Sequence, residues 1–235
     1  MGAARAVDLA FHGALAEAEA ALGRDRSPEA RWVRAYVAAA RGRFFDSLDL
    51  ARPLTARAPR AVRVSASITT GSALRQLGHY RAARHYDRIA SKAARTGAER
   101  ARATIGLAAD AIGLGQAAVC ARLLADAAAL ASTRDWRGNV RLDWVRTEHA
   151  VATGRPRAAI GPARRSLRRA HAEHAIRHVA KSHLFLGVAL VESGNARAGE
   201  RELNDALRAA RACGAEAIVE VARRLLERGR DRVAG

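Results

Sequence analysis

Glycines at positions 42, 78, 115, 154 and 194 are separated by 36, 37, 39 and 40 residues, and each stands between two stretches with helical apolar spacing. A period of this size constrains the fold more than any other feature of the chain. A unit so short cannot bury its own apolar face and has to stack on its neighbours. The clearest unit runs from Val64 to Gly97. Gly71, Leu74 and Leu77 share one helical face, Gly78-His79-Tyr80 turns the chain, and Ala83, Tyr86 and Ala90 line the following helix. Two antiparallel helices on so tight a turn approach closely only if small residues meet at their crossing. The spacing therefore predicts five helical hairpins.

The other units keep parts of the same arrangement. In the first, Trp32 and Tyr36 precede Gly42, Phe44 follows it, Ser47 and Leu54 continue the second helix, and Pro59 closes the unit. The third keeps Cys120, Leu124 and Ala127, the fourth Ala159 and Ala163, and the fifth Gly187, Leu203 and Ala206. Phe11, Ala14, Leu15, Ala18 and Ala21 read as a second helix whose partner is missing or cut short. Ile218, Val221 and Leu225, with arginines between them, read as a final capping helix. The expected organisation is a single domain over 1–235: a partial repeat over 1–27, hairpins over about 28–61, 62–97, 98–134, 135–173 and 174–213, and a cap over about 215–229.

This pattern resembles the tetratricopeptide repeat. Gly71 matches its small residue of the first helix, Gly78 its turn glycine, Tyr80 the aromatic after the turn, and Ala83 and Ala90 the small residues of the second helix. The resemblance implies an all-α, right-handed α-solenoid whose concave face binds a protein or peptide. Units longer than the usual 34 residues are similar to the sensor domains of maltose-regulator and LuxR-type bacterial transcription activators. No GxxxxGK[ST] phosphate loop or helix-turn-helix is visible, so the resemblance implies the sensor part alone, as an adaptor or sensor in transcriptional or signalling regulation.

Composition agrees with helices: 49% of residues are hydrophobic, mostly alanine and leucine, and 4% are aromatic. Pro53 and Pro162 fall where they would kink or shorten a helix. The absence of a long uncharged apolar run argues against membrane insertion, and two distant cysteines, Cys120 and Cys213, fit a reduced, cytoplasmic setting. No nucleophile elbow, paired-carboxylate motif or dinucleotide fingerprint occurs, so no enzyme activity and no cofactor are expected.

Two surfaces stand out. In the register above, Trp32, Tyr36, Arg75, Arg102, Ile105, Trp144, Glu148, Phe185 and Val188, with Val33, Thr69, Ser72 and Leu184, fall on the concave side of the first helices. Aromatic and aliphatic anchors beside arginines suit an amphipathic peptide with acidic residues. Trp32 and Trp144 also fit a hairpin core. The alternative surface follows from a net charge of +18. Between Arg155 and His183 eight basic residues face one acid, Glu173, and Arg157, Arg164, Arg165, Arg168, Arg169, Arg177 and Lys181 could meet nucleic acid or another polyanion. His171, His174, His178 and His183 crowd the same stretch, but a turn near Glu173 would break their face, so no metal site is expected.

Overall fold

The computed structural model describes residues 2–234 and the side chains of residues 2–229. Among the described residues it contains fourteen helices and no strand. They are α1 (Gly2–His12), α2 (Leu15–Leu22), α3 (Pro28–Ala40), α4 (Phe44–Ala51), α5 (Leu54–Arg57), α6 (Arg60–Gln76), α7 (Tyr80–Ala93), α8 (Gly97–Gly113), α9 (Ala117–Leu130), α10 (Trp136–Ala152), α11 (Pro156–Ala172), α12 (Ile176–Glu192), α13 (Ala196–Ala212) and α14 (Glu216–Ala234). Each packs chiefly on its neighbours in sequence, as a solenoid of helical hairpins requires.

The turns are local in origin. Gly42, Gly78, Gly115, Gly154 and Gly194 all have positive φ, a conformation glycine adopts without steric cost. A six-to-one hydrogen bond closes each turn: His79 N–H donates to the Leu74 carbonyl at 2.9 Å, and Asn195 N–H to that of Leu190 at 2.8 Å. Helix starts are fixed by side chains. Ser27 accepts from Ala30 N–H ahead of Pro28, Asp135 accepts from Gly138 N–H, and Thr96 and Glu99 form a reciprocal capping box at the start of α8. Pro53 ends the helix begun at Phe44, and α5 restarts after it, whereas Pro162 is accommodated within α11.

Over residues 1–27 the first helix of the partial repeat is present and cut short, one of the two expected arrangements, but Phe11 is not on the second helix. Phe11 belongs to α1, and α1 and α2 form a short hairpin around Gly13, itself at positive φ. The sequence hid this pair because its helices are only 11 and 8 residues long. Ala6, Ala10, Leu15, Ala18 and Leu22 bury against Ala30, Val33, Val37 and Ala40 of α3 in one alanine-rich cluster.

The first hairpins also reach the last. A β-carbon on Gly13 would lie 2.8 Å from Ile176 of α12, and one on Gly42 would lie 3.1 Å from the Ala217 backbone of α14. His12 stacks obliquely on Trp136 with ring centres 5.6 Å apart. The solenoid thus curls until its two ends touch, which turns its concave face into the wall of a cavity.

Candidate ligand-binding cavity

The first helices of the hairpins, α3, α6, α8, α10 and α12, and the terminal α14 run side by side in the same direction and present their inner faces to a cavity of about 780 Å³. A volume of this order is that of a small-molecule pocket. All nine residues read from the sequence as concave line it: Trp32 and Tyr36 from α3, Arg75 from α6, Arg102 and Ile105 from α8, Trp144 and Glu148 from α10, and Phe185 and Val188 from α12. Thr69, Ser72 and Leu184 line it too, whereas Val33 turns away into the α1–α3 core. The two tryptophans serve both roles considered for them. The indole N–H of Trp32 donates to Thr69 at 3.1 Å and that of Trp144 to Ser182 at 2.9 Å, joining neighbouring hairpins, while their rings border the cavity.

Two of the arginines are held by the protein. Arg75 lies between the fully buried carboxylates of Asp87 and Asp110, the latter at 2.8 Å. Burial pushes the Asp110 carboxyl up to about 7, against the pull of Arg75. Arg102 donates to Asp135 at 2.8 Å, across the start of α10.

Sequence reasoning missed Arg137 and Arg141, and it assigned Arg177 and Lys181 to another surface. All four line the cavity. Among the described residues none has an ion-pair partner, and Arg137 and Arg177 each retain a buried Nε–H without an acceptor. Arg137 stacks 3.1 Å over the Phe11 ring, and Lys181 sits 4.8 Å from the centre of the Trp144 ring. Burial lowers Lys181 to about 7, with Arg177 acting in the same direction and Glu148 opposing. It also lowers Arg137 and Arg141 to about 10. Glu148 is the one carboxylate among the described residues of the lining, and burial raises its pKa against the pull of Lys181 and Arg75. A signal for these cations was present. Arg141 precedes Gly154 by the same number of positions as Lys181 precedes Gly194 and Arg102 precedes Gly115.

The basic stretch of the sequence is divided by the fold. Arg157, Arg164 and Arg168 are exposed on α11. Arg165 and Arg169 bind the buried Asp143 of α10, the former at 3.0 Å, and Arg146 joins them at 3.3 Å. Arg177 and Lys181 belong to the cavity. The four histidines scatter in the same way. His174 occupies the turn after α11 with φ of 51°, and His178 is buried between Trp136 and Trp144. His171 and His183 meet ring to ring at 5.8 Å. His183, Glu202 and Asp205 bring one potential ligand atom each within 4.8 Å of one another. His183 already binds Glu202 at 2.6 Å, and Asp205 binds Arg208. The Cys120 thiol is buried, which pushes it up to about 12 and leaves it a poor nucleophile.

Stacked hairpins around a lined cavity define an all-α solenoid of antiparallel helical hairpins. No family model and no curated protein matches the chain. Among solved structures it is similar to the crystal structure of MamA protein, with 15% identity and a TM-score of 0.39 over 78% of this chain and 92% of that one. No described helix is long and apolar enough to cross a membrane.

Proposed function

We propose that the chain is a binding scaffold without catalytic chemistry of its own, which takes its ligand, a protein or peptide segment, into the concave interior. On this reading it works as an adaptor or sensor in bacterial transcriptional or signalling regulation. The support for the binding surface is a single observation: side chains from successive first helices converge on one cavity that mixes aromatic anchors with unpaired cations. The polyanion alternative would use Arg157, Arg164 and Arg168. It is the weaker reading, because Arg165 and Arg169, which would complete a stripe, are engaged by Asp143.

A pull-down from lysate separates the two readings, run with nuclease at moderate and high salt. The baits are wild type, Tyr36→Ala/Phe185→Ala, and Arg157→Glu/Arg164→Glu/Arg168→Glu. Proteins retained by wild type and by the charge reversal but lost from the cavity variant support the scaffold. Recovery of nucleic acid alone, abolished by the charge reversal and indifferent to the cavity variant, would reject it.

A further inference from the structure

The cavity is not uniform along its axis. Because the first helices run in parallel, residues at like positions from their N-termini form layers. Arg137 and Arg177 are the second residues of α10 and α12, and Arg141 and Lys181 stand one turn further along the same faces. These two pairs, four residues apart on adjacent parallel helices, make a square of cations at the N-terminal end. The opposite end is built from the last turns of the helices and is mostly apolar: Ile112, Val151, Ala152 and Val188, with Leu225 of α14 and Phe44 beyond the first turn, and with Glu148 in the same layer as Val188. Arg75, at that end, is already neutralised by Asp87 and Asp110.

Charges left unpaired inside a protein are costly, and a cluster of them in a ligand-sized space is a strong local field for an anion. Arg137 and Lys181 also pack on the Phe11 and Trp144 rings, but no described carboxylate pairs with any of the four. Their guanidinium and ammonium groups enter no ion pair among the described residues, and two Nε–H donors are unsatisfied. The N-termini of α10 and α12 add donor dipoles at the same end. At the far end Arg75 is already held by Asp87 and Asp110, and Glu148 would meet an anion with like charge, so a second anionic group there would be desolvated without a free partner.

We propose that the cavity binds an amphipathic organic anion, its carboxylate or phosphate head among Arg137, Arg141, Arg177 and Lys181 and its apolar body directed toward Val151, Val188 and Leu225. This rests on the reading that the cavity is the binding surface, and it places a small amphipathic anion there instead of a protein or peptide segment. Head-group charge gives the orientation, tail burial gives most of the affinity, and occupation keeps Lys181 charged in the bound state.

The test is isothermal titration calorimetry of the purified chain with octyl phosphate, octanoate, octanol, octyltrimethylammonium, butyl phosphate and inorganic phosphate. Octyl phosphate and octanoate bind, and their relative strength distinguishes the two heads. The alcohol, the cation and the short or tailless phosphates bind at least about tenfold more weakly. Arg141→Met/Lys181→Met weakens the two octyl anions by a similar factor or more, while Arg164→Glu/Arg168→Glu leaves them unchanged. Equal binding of the octyl cation or alcohol, or affinity indifferent to the double substitution, overturns the proposal. So does the absence of any binding. If the double variant does not melt cooperatively, Arg177→Met takes its place, and the ligand series on wild type still decides. Tight, cavity-dependent binding of a hexaglutamate peptide, with no binding of octyl anions, would reject the amphipathic anion while leaving the cavity as the binding surface. Loss of cavity dependence for every probe would reject both.

Discussion

Asp87 is a fully buried carboxylate on α7, and it fits only because two neighbouring helices carry glycine. A β-carbon on Gly71 would lie 2.8 Å from its carboxylate, and one on Gly106 would lie 2.5 Å away. The repeat's demand for small residues at the crossing is here a demand for room around an ion pair. Gly106→Ala is expected to push Asp87 off Arg75 and to destabilise the protein by about 2–4 kcal/mol. Gly78→Ala meets open space but leaves alanine at a φ of 79°, for a cost of about 1 kcal/mol. Urea denaturation of both variants measures the difference, and an equal loss would mean that the Asp87 site relaxes freely. Gly71 and Gly78 were legible from the sequence as repeat positions. The carboxylate that explains Gly71 was not, because Asp87 looks like an ordinary polar residue of an amphipathic helix.

At the scale of the element, the same helices carry structure and charge in different proportions. Glu99 caps α8 and ties it to α6 through Arg60 at 2.7 Å. Burial opposes its ionisation, but hydrogen bonds from Arg60 and from the Arg95 and Thr96 N–H groups outweigh it and lower the carboxyl to about 2. Its folded-state value lies below the unfolded one, near 4.5. Its contribution is therefore present above that value and is lost as the pH falls from about 4.5 toward 2. Glu99→Gln is expected to cost about 1 kcal/mol at neutral pH and to flatten the acid limb of melting temperature against pH.

Lys181 on α12 behaves in the opposite region. It faces Arg177 on its own helix, Glu148 and Arg141 of α10, and Arg75 of α6, and its value falls from 10.5 to about 7. Between those values the unfolded chain binds more protons than the folded one, so the ligand-free protein gains stability as the pH rises from about 7 to about 10.5. Lys181→Met is expected to reduce that slope and to raise the melting temperature at pH 7. An unchanged slope in the scanned melts would show that water in the cavity solvates the ammonium fully.

For the whole molecule, the consequential event is closure. Contacts of Gly13 with Ile176 and of Gly42 with Ala217 bring together segments far apart in sequence, and they convert an open groove into a cavity. Ala217→Trp is expected to wedge α14 away from the Gly42 turn. It would raise the radius of gyration in solution scattering and weaken ligand binding, with helical circular dichroism unchanged and a stability loss of about 1–3 kcal/mol. Retention of the wild-type radius would show that closure does not depend on this contact.

The helices, their turns and the inward face of each first helix can be read from local sequence, because all three depend on interactions within a few residues. Glycine at positive φ ends a helix, and apolar spacing of 3.6 residues chooses its buried side. That was enough to bring Trp32, Tyr36, Ile105, Trp144 and Phe185 to one surface in advance. Long-range packing settles that α1 completes a hairpin, that the two ends meet, and which arginines are held by Asp143 and which face the cavity. Curvature accumulates from small rotations between repeats. An arginine's role is set by whether a carboxylate stands opposite it on another helix, and neither is encoded in the local spacing of the chain.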